Sequence, residues 1–410
     1  MSARVCRLCG APLLITFCDL GMSPLSNAFV KPSEAHRSET FYPLHASVCE
    51  RCFLVQLEQF ETPEHIFKDY AYFSSYSDTR LEHCRRYAEA MHAELGLNAR
   101  SLVIEVASND GYLLQYFKQM NVPVLGIEPA ENVAMAAVAK GIPTLTRFFG
   151  VEAARELVAQ GTRADLLLGN NVLGHVPDLN DFVAGIKVIL KPGGIVTMEF
   201  PHLQNLIEEN QFDTIYHEHF SYFSFLTAQR VFARHGVQLF DVEEIPTHGG
   251  SLRVYGRHIE QASEPGERVS ELVARERRLG FEDLETYRAF SSRVRETKRR
   301  LLDFLVPTKR AGKTVVGYGA PAKGNTLLNY CGIRTDFLDY TVDRSPHKQG
   351  LLLPGTRIPV YHPDKIRETR PDYLLILPWN LRDEIVGQMG HIREWGGRFV
   401  VPIPEVEVFS

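Results

Sequence analysis

The sequence predicts an α/β protein of three domains, the middle one a doubly wound, mainly parallel sheet. Three observations carry this expectation. Between residues 102 and 243, short apolar and β-branched runs alternate with longer stretches of helical periodicity. Ahead of that region, four cysteines stand as two pairs, Cys6-x-x-Cys9 and Cys49-x-x-Cys52. Behind it, a second strand–glycine loop–helix unit begins at Thr314. The 410 residues exceed what a single core holds, and the expected domains are 1–75, 76–259 and 260–410.

Each cysteine pair can point two thiolates at one tetrahedral ion. With all four positions filled by cysteine, the expected metal is a structural zinc held by Cys6, Cys9, Cys49 and Cys52. Thirty-nine residues lie between Cys9 and Cys49, so the closing loop must be a small subdomain. Gly10 and Arg51 flank the two knuckles as turn-tolerant or solvated residues. Cys18, Cys84 and Cys331 stand alone and read as small buried hydrophobes. The aromatic-serine run 69–77 that follows is either an interdomain seam or the source of a tyrosine hydroxyl, from Tyr70 or Tyr72, over an active site.

Composition excludes several classes of partner. A net charge of −5 gives no basic footprint, so no nucleic acid is expected. No apolar run reaches the roughly 20 residues of a membrane span, and the first residues lack the apolar core of a signal peptide. A cytoplasmic monomer with reduced, buried or metal-bound cysteines is the expectation.

In the middle domain a helix over 79–95 precedes strands at 102–106, 124–127, 143–145, 164–168, 194–200 and 237–243. Helices at 113–119, 130–139, 151–159, 179–189 and 227–235 fill the gaps, and 190–194 reads as a turn. The first strand carries Glu105. A tight loop from Ala107 to Gly111 follows, and the second strand ends at Glu128-Pro129. A carboxylate at that strand tip can accept hydrogen bonds from a ribose diol. Alanine replaces the first glycine of a dinucleotide fingerprint, which argues for a ligand without pyrophosphate. S-adenosylmethionine fits that description. Its expected contacts are Glu105, Ala107, Asn109, Gly111, Glu128 and Pro129, with Asn170 and Asn171 at the methionine end.

The densest titratable cluster is the run 212–224, where Tyr216, His217, Glu218 and His219 are interleaved with aromatic residues. Loops at the carboxyl ends of parallel strands face the ligand crevice, so Tyr216, Glu218 and His219 are expected to line one wall. The His-Glu-His order is not the HExxH of a zinc protease.

Together, the stretch Glu105–Gly111, the Gly126-Ile-Glu128-Pro turn, the Leu190-Lys-Pro-Gly-Gly194 turn and the acidic-aromatic run resemble the class I S-adenosylmethionine-dependent methyltransferases. The order of four-cysteine module, methyltransferase core and glycine-loop third domain resembles, more narrowly, the three-domain sugar C-methyltransferases of deoxysugar biosynthesis. The resemblance runs from Cys6 to Val406. It implies a class I doubly wound sheet, a small N-terminal four-cysteine zinc module and a C-terminal half-Rossmann-like domain. It implies methyl transfer to carbon 3 of a nucleotide-linked 4-keto-6-deoxy sugar, TDP- or GDP-bound, through a base-generated enolate. Carried over, the Tyr-x-Glu-His motif makes His219 the base, Glu218 its orienter or a hydroxyl ligand, and Tyr216 a donor near the sugar. His175 matches a secondary acid–base or positioning group, and Tyr72 closes the site.

From 260 to 310 charged residues dominate, most densely in 268–278 and 293–300, over an apolar helical stripe, and two amphipathic helices are expected there to brace the domains. The run Gly317-Tyr-Gly319-Ala-Pro-Ala322 then stands between a strand and a helix, with Asp343 twenty-four residues after Gly319. By motif alone it is a better pyrophosphate cradle than the first loop, so an NAD-linked enzyme is a rival reading. The resemblance instead assigns this unit to the nucleotide-sugar, with Tyr318, Lys323 and Asn380 as contacts. Methylation at oxygen or nitrogen of a small metabolite, or a catalytically inert zinc-ribbon scaffold, are the other rivals.

Overall fold

The structure, a computed structural model, describes residues 4–62, 75 and 78–410. Tyr70 and Tyr72 lie outside the described residues. Three sheets organise the chain. The first opens with β1 (Ile15–Ser23), β2 (Tyr42–Val48) and β3 (Val55–Leu57), all antiparallel. β1 and β2 occupy the loop between the cysteine pairs, which is the subdomain that their spacing requires.

The central sheet holds β4 (Val103–Val106), β5 (Val124–Ile127), β6 (Thr144–Leu145), β7 (Ala164–Asn170), β8 (Leu190–Pro201), β10 (Val237–Ile245) and β11 (Ser251–His258). Its order is β10-β11-β8-β7-β4-β5-β6, with β11 antiparallel to both neighbours. All four residues of β4 are buried, as expected of a parallel strand covered on both faces. Helices Val151–Ala159 and Leu179–Ile189 fall at the expected residues. Residues 190–194 differ from the expectation: they open β8 instead of separating it from the preceding helix. The register against β7 jumps from Ala164↔Leu190 to Leu166↔Ile195, so the Pro-Gly-Gly segment arches out as a bulge. Gly193, at φ 81°, permits the arch.

The run 212–224 also differs. It is not simply a loop, because β9 (Ser221–Tyr222) adds a fourth strand to the N-terminal sheet, pairing Val55 with Tyr222 and Gln56 with Ser221. The cysteine module and the titratable cluster are therefore joined by backbone hydrogen bonds. Two residues are too few to signal a strand by alternation.

The third sheet contains β12 (Val315–Tyr318), β13 (Thr341–Val342), β14 (Val360–Tyr361), β15 (Tyr373–Ile376), β16 (Arg398–Val401) and β17 (Glu407–Phe409). Its order is β14-β13-β12-β15-β16-β17, parallel except for β17. Helices Glu267–Arg278 and Leu284–Arg310 lead into it. The second runs well beyond the charged stretch 293–300. Its buried positions Tyr287, Phe290, Val294, Thr297, Leu301 and Leu305 recur every three or four residues beneath a strongly charged outer face, which is the apolar stripe expected. Phe290 stacks on Phe17 with ring centroids 4.7 Å apart, so this helix ties the N-terminal sheet to the third domain.

Candidate active site and metal centre

The four sulfurs of Cys6, Cys9, Cys49 and Cys52 lie within 4.8 Å of one another, and none is in a disulfide. Cys6 and Cys52 approach to 3.5 Å, as do Cys9 and Cys49. A tetrahedron with Zn–S bonds of about 2.3 Å has sulfur–sulfur edges of about 3.8 Å, so the set fits zinc. In each knuckle a later amide closes the turn: Gly10 N–H donates to the Cys6 carbonyl at 2.8 Å, and Phe53 N–H to that of Cys49 at 2.9 Å. Gly10 has φ 73° and Phe53 φ 60°. Arg51 is exposed, and the left-handed residue of the second knuckle is thus Phe53. Its ring stacks on Tyr287 at 6.0 Å, which holds a conformation unusual for a bulky residue. The Cys52 thiol and the Gln56 amide stabilise the Cys6 thiolate and bring that thiol down to about 4, the form that binds a metal.

A tightly curled loop follows the carboxyl end of β4. Ala107, Asn109 and Gly111 all have positive φ, of 57°, 50° and 74°. The loop thus keeps its tight curl although alanine replaces the leading glycine. Glycine is needed at 111, where a Cβ would meet Ile142 Cγ1 at 2.9 Å, and at 126, where it would meet Ser108 Oγ at 2.4 Å. Gly111→Ala should destabilise the protein by at least about 1–2 kcal/mol through the left-handed backbone alone. Equilibrium urea unfolding checks this.

Glu128 fastens the loop. Its two oxygens accept from Asn109 N–H and Ala130 N–H, each at 2.9 Å, and each retains a second lone pair for a diol. Glu105 is fully buried with neither carboxylate oxygen hydrogen-bonded, and burial pushes its carboxyl well above the usual range. The side-chain oxygens of Asn170 and Asn171 are likewise buried and unpaired. Orphaned acceptors on adjacent strand ends fit a ligand carrying cationic and N–H groups. Pro129 lies half-buried between Glu128 and the helix Glu131–Ala139.

The second candidate segment is 213–219. His219 Nδ1 lies 2.8 Å from the Thr214 carbonyl oxygen, which can only accept. The proton of the neutral ring therefore sits on Nδ1, and Nε2 carries the lone pair. Burial, with the neighbouring His175 next, holds the ring well below the usual histidine range, so it is neutral at pH 7. The His175 and His219 rings stand edge to face at 4.6 Å, and Tyr216 lies over His219 at 3.9 Å. His217 turns the other way: its Nε2 is 3.3 Å from the Pro43 carbonyl, and its ring meets Tyr42 and Phe60.

Glu218 is buried and accepts from Asn27 Nδ2 at 2.7 Å. Burial raises its carboxyl to about 7. The folded chain thus holds a proton there that the unfolded chain releases nearer 4.5. The resulting stabilisation is present at acid pH and disappears as pH rises through 7, a swing of roughly 3 kcal/mol. Glu218→Gln should flatten the decline in unfolding free energy between about pH 5 and 8, as denaturation at several pH values will show.

The third domain packs against the 213–219 segment. Lys323 Nζ is 2.5 Å from Asn380 Oδ1 and 4.1 Å from the centre of the Trp379 ring. Burial lowers this lysine to about 8, with Asp213 opposing the shift. Trp379 Nε1–H donates to Asp213 Oδ2 at 2.8 Å. The glycine loop makes its own contacts with the protein. Ala320 N–H donates to Asp343 at 2.8 Å, and a Cβ on Gly319 would meet Pro378 Cδ at 2.6 Å. That glycine permits packing against the Pro378–Asn380 segment. The Tyr318 hydroxyl donates to Gln388 at 2.8 Å, away from Lys323.

Sequence reasoning missed Asn27 and the pairing of Asp213 with Trp379. It also missed a buried network in which Arg253 binds Glu199 (Nε at 2.8 Å) and Glu243 (2.9 Å), with His83 3.2 Å from Glu199. Asn27 and Glu218 are 191 residues apart, Trp379 and Asp213 166, Arg253 and Glu199 54, and His83 and Glu199 116. No local pattern exists at such separations.

The chain matches three family models end to end. They are "Putative zinc binding domain" over residues 6–67, "Methyltransferase domain" over 79–242 and "C-methyltransferase C-terminal domain" over 246–404. The C-methyltransferase NovU of Streptomyces niveus is 36% identical over 405 residues, which cover 99% of this chain and 96% of NovU. This chain belongs to the C-methyltransferase family. It is a methyltransferase enzyme with an N-terminal zinc-binding domain, and the four cysteines brought together above fall within that domain and can hold a metal ion. A ubiquinone biosynthesis O-methyltransferase of Methylobacterium nodulans is 33% identical over 116 residues, 27% of this chain and 45% of that protein. Among solved structures, a Burkholderia thailandensis 1,6-didemethyltoxoflavin-N1-methyltransferase is 18% identical with a TM-score of 0.35, covering 50% of this chain and 94% of that one. No helix among the described residues is long and apolar enough to cross a membrane.

Proposed function

We propose that this protein transfers a methyl group from S-adenosylmethionine to carbon 3 of a nucleotide-linked 4-keto-6-deoxy sugar. The observation that carries the reading is the fixed tautomer of His219. A neutral imidazole with Nδ1–H tied to a carbonyl presents an unprotonated Nε2, as removal of an acidic carbon-bound proton requires. When bound, S-adenosylmethionine supplies an electrophilic methyl on sulfonium. Glu105, Asn170 and Asn171 offer it acceptors, and Glu128 and the Ala107–Gly111 loop offer it a diol ligand and a close backbone.

A proton next to a ketone is acidic only if the enolate oxygen is stabilised. Tyr216, whose ring lies over His219, is the hydroxyl assigned to that task, and Glu218, protonated below about 7, is a second donor. His175 packs on His219 and fixes its ring plane. Lys323 and Asn380 supply a cation and an amide from the third domain for the nucleotide-sugar diphosphate. The edge of the crevice is where a large, polar, two-part substrate would enter.

Mass spectrometry of products from a small panel of TDP- and GDP-linked keto sugars tests the reading. A gain of one methyl on a 4-keto-6-deoxy substrate is expected. Methylation confined to small phenols or amines would overturn it.

A further inference from the structure

Arg7 stands between the first two zinc-ligand cysteines, yet its side chain leaves the knuckle and enters the body of the protein. One guanidinium nitrogen donates to the Pro177 carbonyl at 2.8 Å and another to the Leu57 carbonyl at 2.5 Å. The group also lies 5.4 Å from the centre of the Phe220 ring. Its backbone is held in turn. Arg7 N–H donates to Gln56 Oε1 at 2.9 Å, Gln56 Nε2 reaches Cys6 Sγ at 3.2 Å, and Asn180 Nδ2 donates to the Arg7 carbonyl at 2.7 Å.

The segments it grips are those that bear the two histidines. Leu57 N–H donates to the Phe220 carbonyl at 3.0 Å, and Phe220 N–H to the Gly174 carbonyl at 2.7 Å. His219 directly precedes Phe220, and His175 lies between Gly174 and Pro177. A closed circuit of hydrogen bonds therefore runs from Arg7 through Leu57, Phe220 and Gly174 and back through Pro177. Both rings project from it, 4.6 Å apart. The guanidinium contacts in this circuit are two carbonyls and a ring, none of them a carboxylate. Four thiolates around a divalent ion carry a net charge of −2, which, with Asp178, gives the half-buried Arg7 cation an electrostatic reason to lie beside the knuckle.

We propose that Arg7 is a positioning residue for the His175–His219 pair, carrying the geometry of the cysteine knuckle to the sugar face of the active site. This rests on the reading of His219 as the base. Two ring planes held on one circuit lose their mutual alignment when it opens, and a displacement of about 1 Å costs about 10²-fold in rate.

The test compares Arg7→Met, Arg7→Lys, His175→Asn, His219→Asn and the double variant R7M/H175N, all in the full-length zinc-loaded enzyme. The readouts are kcat, KM for the nucleotide-sugar, S-adenosylhomocysteine affinity by calorimetry and zinc content by atomic absorption. R7M should lower kcat by about 10²-fold, with KM, zinc content and S-adenosylhomocysteine affinity within about twofold of wild type. R7K, which keeps a donor to one carbonyl, should recover part of the loss. The double variant should be no slower than the slower single one, because both act on the same ring pair. A wild-type kcat in R7M, or losses that multiply in the double variant, would overturn the proposal. If R7M does not fold, R7K and R7K/H175N carry the same cycle. An H219N enzyme that still turns over refutes the base assignment itself. A dead H219N beside a fully active R7M refutes only the role of Arg7.

Discussion

His219→Asn should reduce turnover by about 10²–10⁴-fold while leaving S-adenosylhomocysteine affinity unchanged. Asparagine can keep a donor to the Thr214 carbonyl but has no basic nitrogen where Nε2 stood. The two halves of the expectation arise from separate structures. The contacts proposed for the donor lie in the loop after β4 and at Glu128, whereas His219 is held by the Thr214 carbonyl within the 213–219 segment. Exchange of the sugar's carbon-3 hydrogen with deuterated solvent, in the absence of donor, isolates the proton-transfer step. It should proceed in wild type and stop in H219N. Exchange that survives the substitution would move the base elsewhere. The burial of the ring should also show in the pH profile. Because the ring is held well below the usual histidine range, the rate should persist at pH values where a free imidazole is already protonated.

Loss of zinc should have the largest effect on stability. Structural zinc sites contribute about 10–16 kcal/mol in small peptides, comparable with the whole stability of an ordinary domain at about 5–15 kcal/mol. Here the effect should spread beyond the knuckles. Cys6, Cys49 and Cys52 pack in one core with Ile104, Leu167 and Phe223 of the central region, and β3 continues the N-terminal sheet into β9. Cys49→Ser, or prolonged treatment with a chelator, should therefore lower the thermal midpoint and abolish methyl transfer together, with inactivation following zinc release. A zinc-free enzyme with the midpoint and activity of the loaded one would show that the cluster has no structural role.

What could be read from the sequence follows the range of the interactions. The alternation of strands and helices in the core, the Ala107–Gly111 curl and the Cys6–Cys52 set each depend on residues close in sequence or on a repeated spacing. They reappear in the structure within a residue or two. The 190–194 segment shows the limit of local signals: Pro-Gly-Gly marks a break in regularity equally well as a turn or as a bulge inside a strand. Phe53 could not be foreseen as a left-handed residue, since only its packing on Tyr287 makes that backbone tolerable. The active-site pieces that were missed are long-range. Asn27 reaches Glu218 from the N-terminal module, and Trp379 reaches Asp213 from the third domain. The glycine loop after β12 carries more than its motif tells: Asp343 takes the Ala320 N–H, and Gly319 lies close against Pro378, both long-range contacts.

The central claim is that donor and keto sugar meet at His219 and that the new bond is to carbon. Incubating the enzyme with methyl-deuterated S-adenosylmethionine and a nucleotide-linked 4-keto-6-deoxy sugar, then locating the label by NMR, tests this directly. The label should appear on a methyl attached to carbon 3. A label on an oxygen or nitrogen, or an unlabelled sugar recovered beside unspent donor, would contradict it.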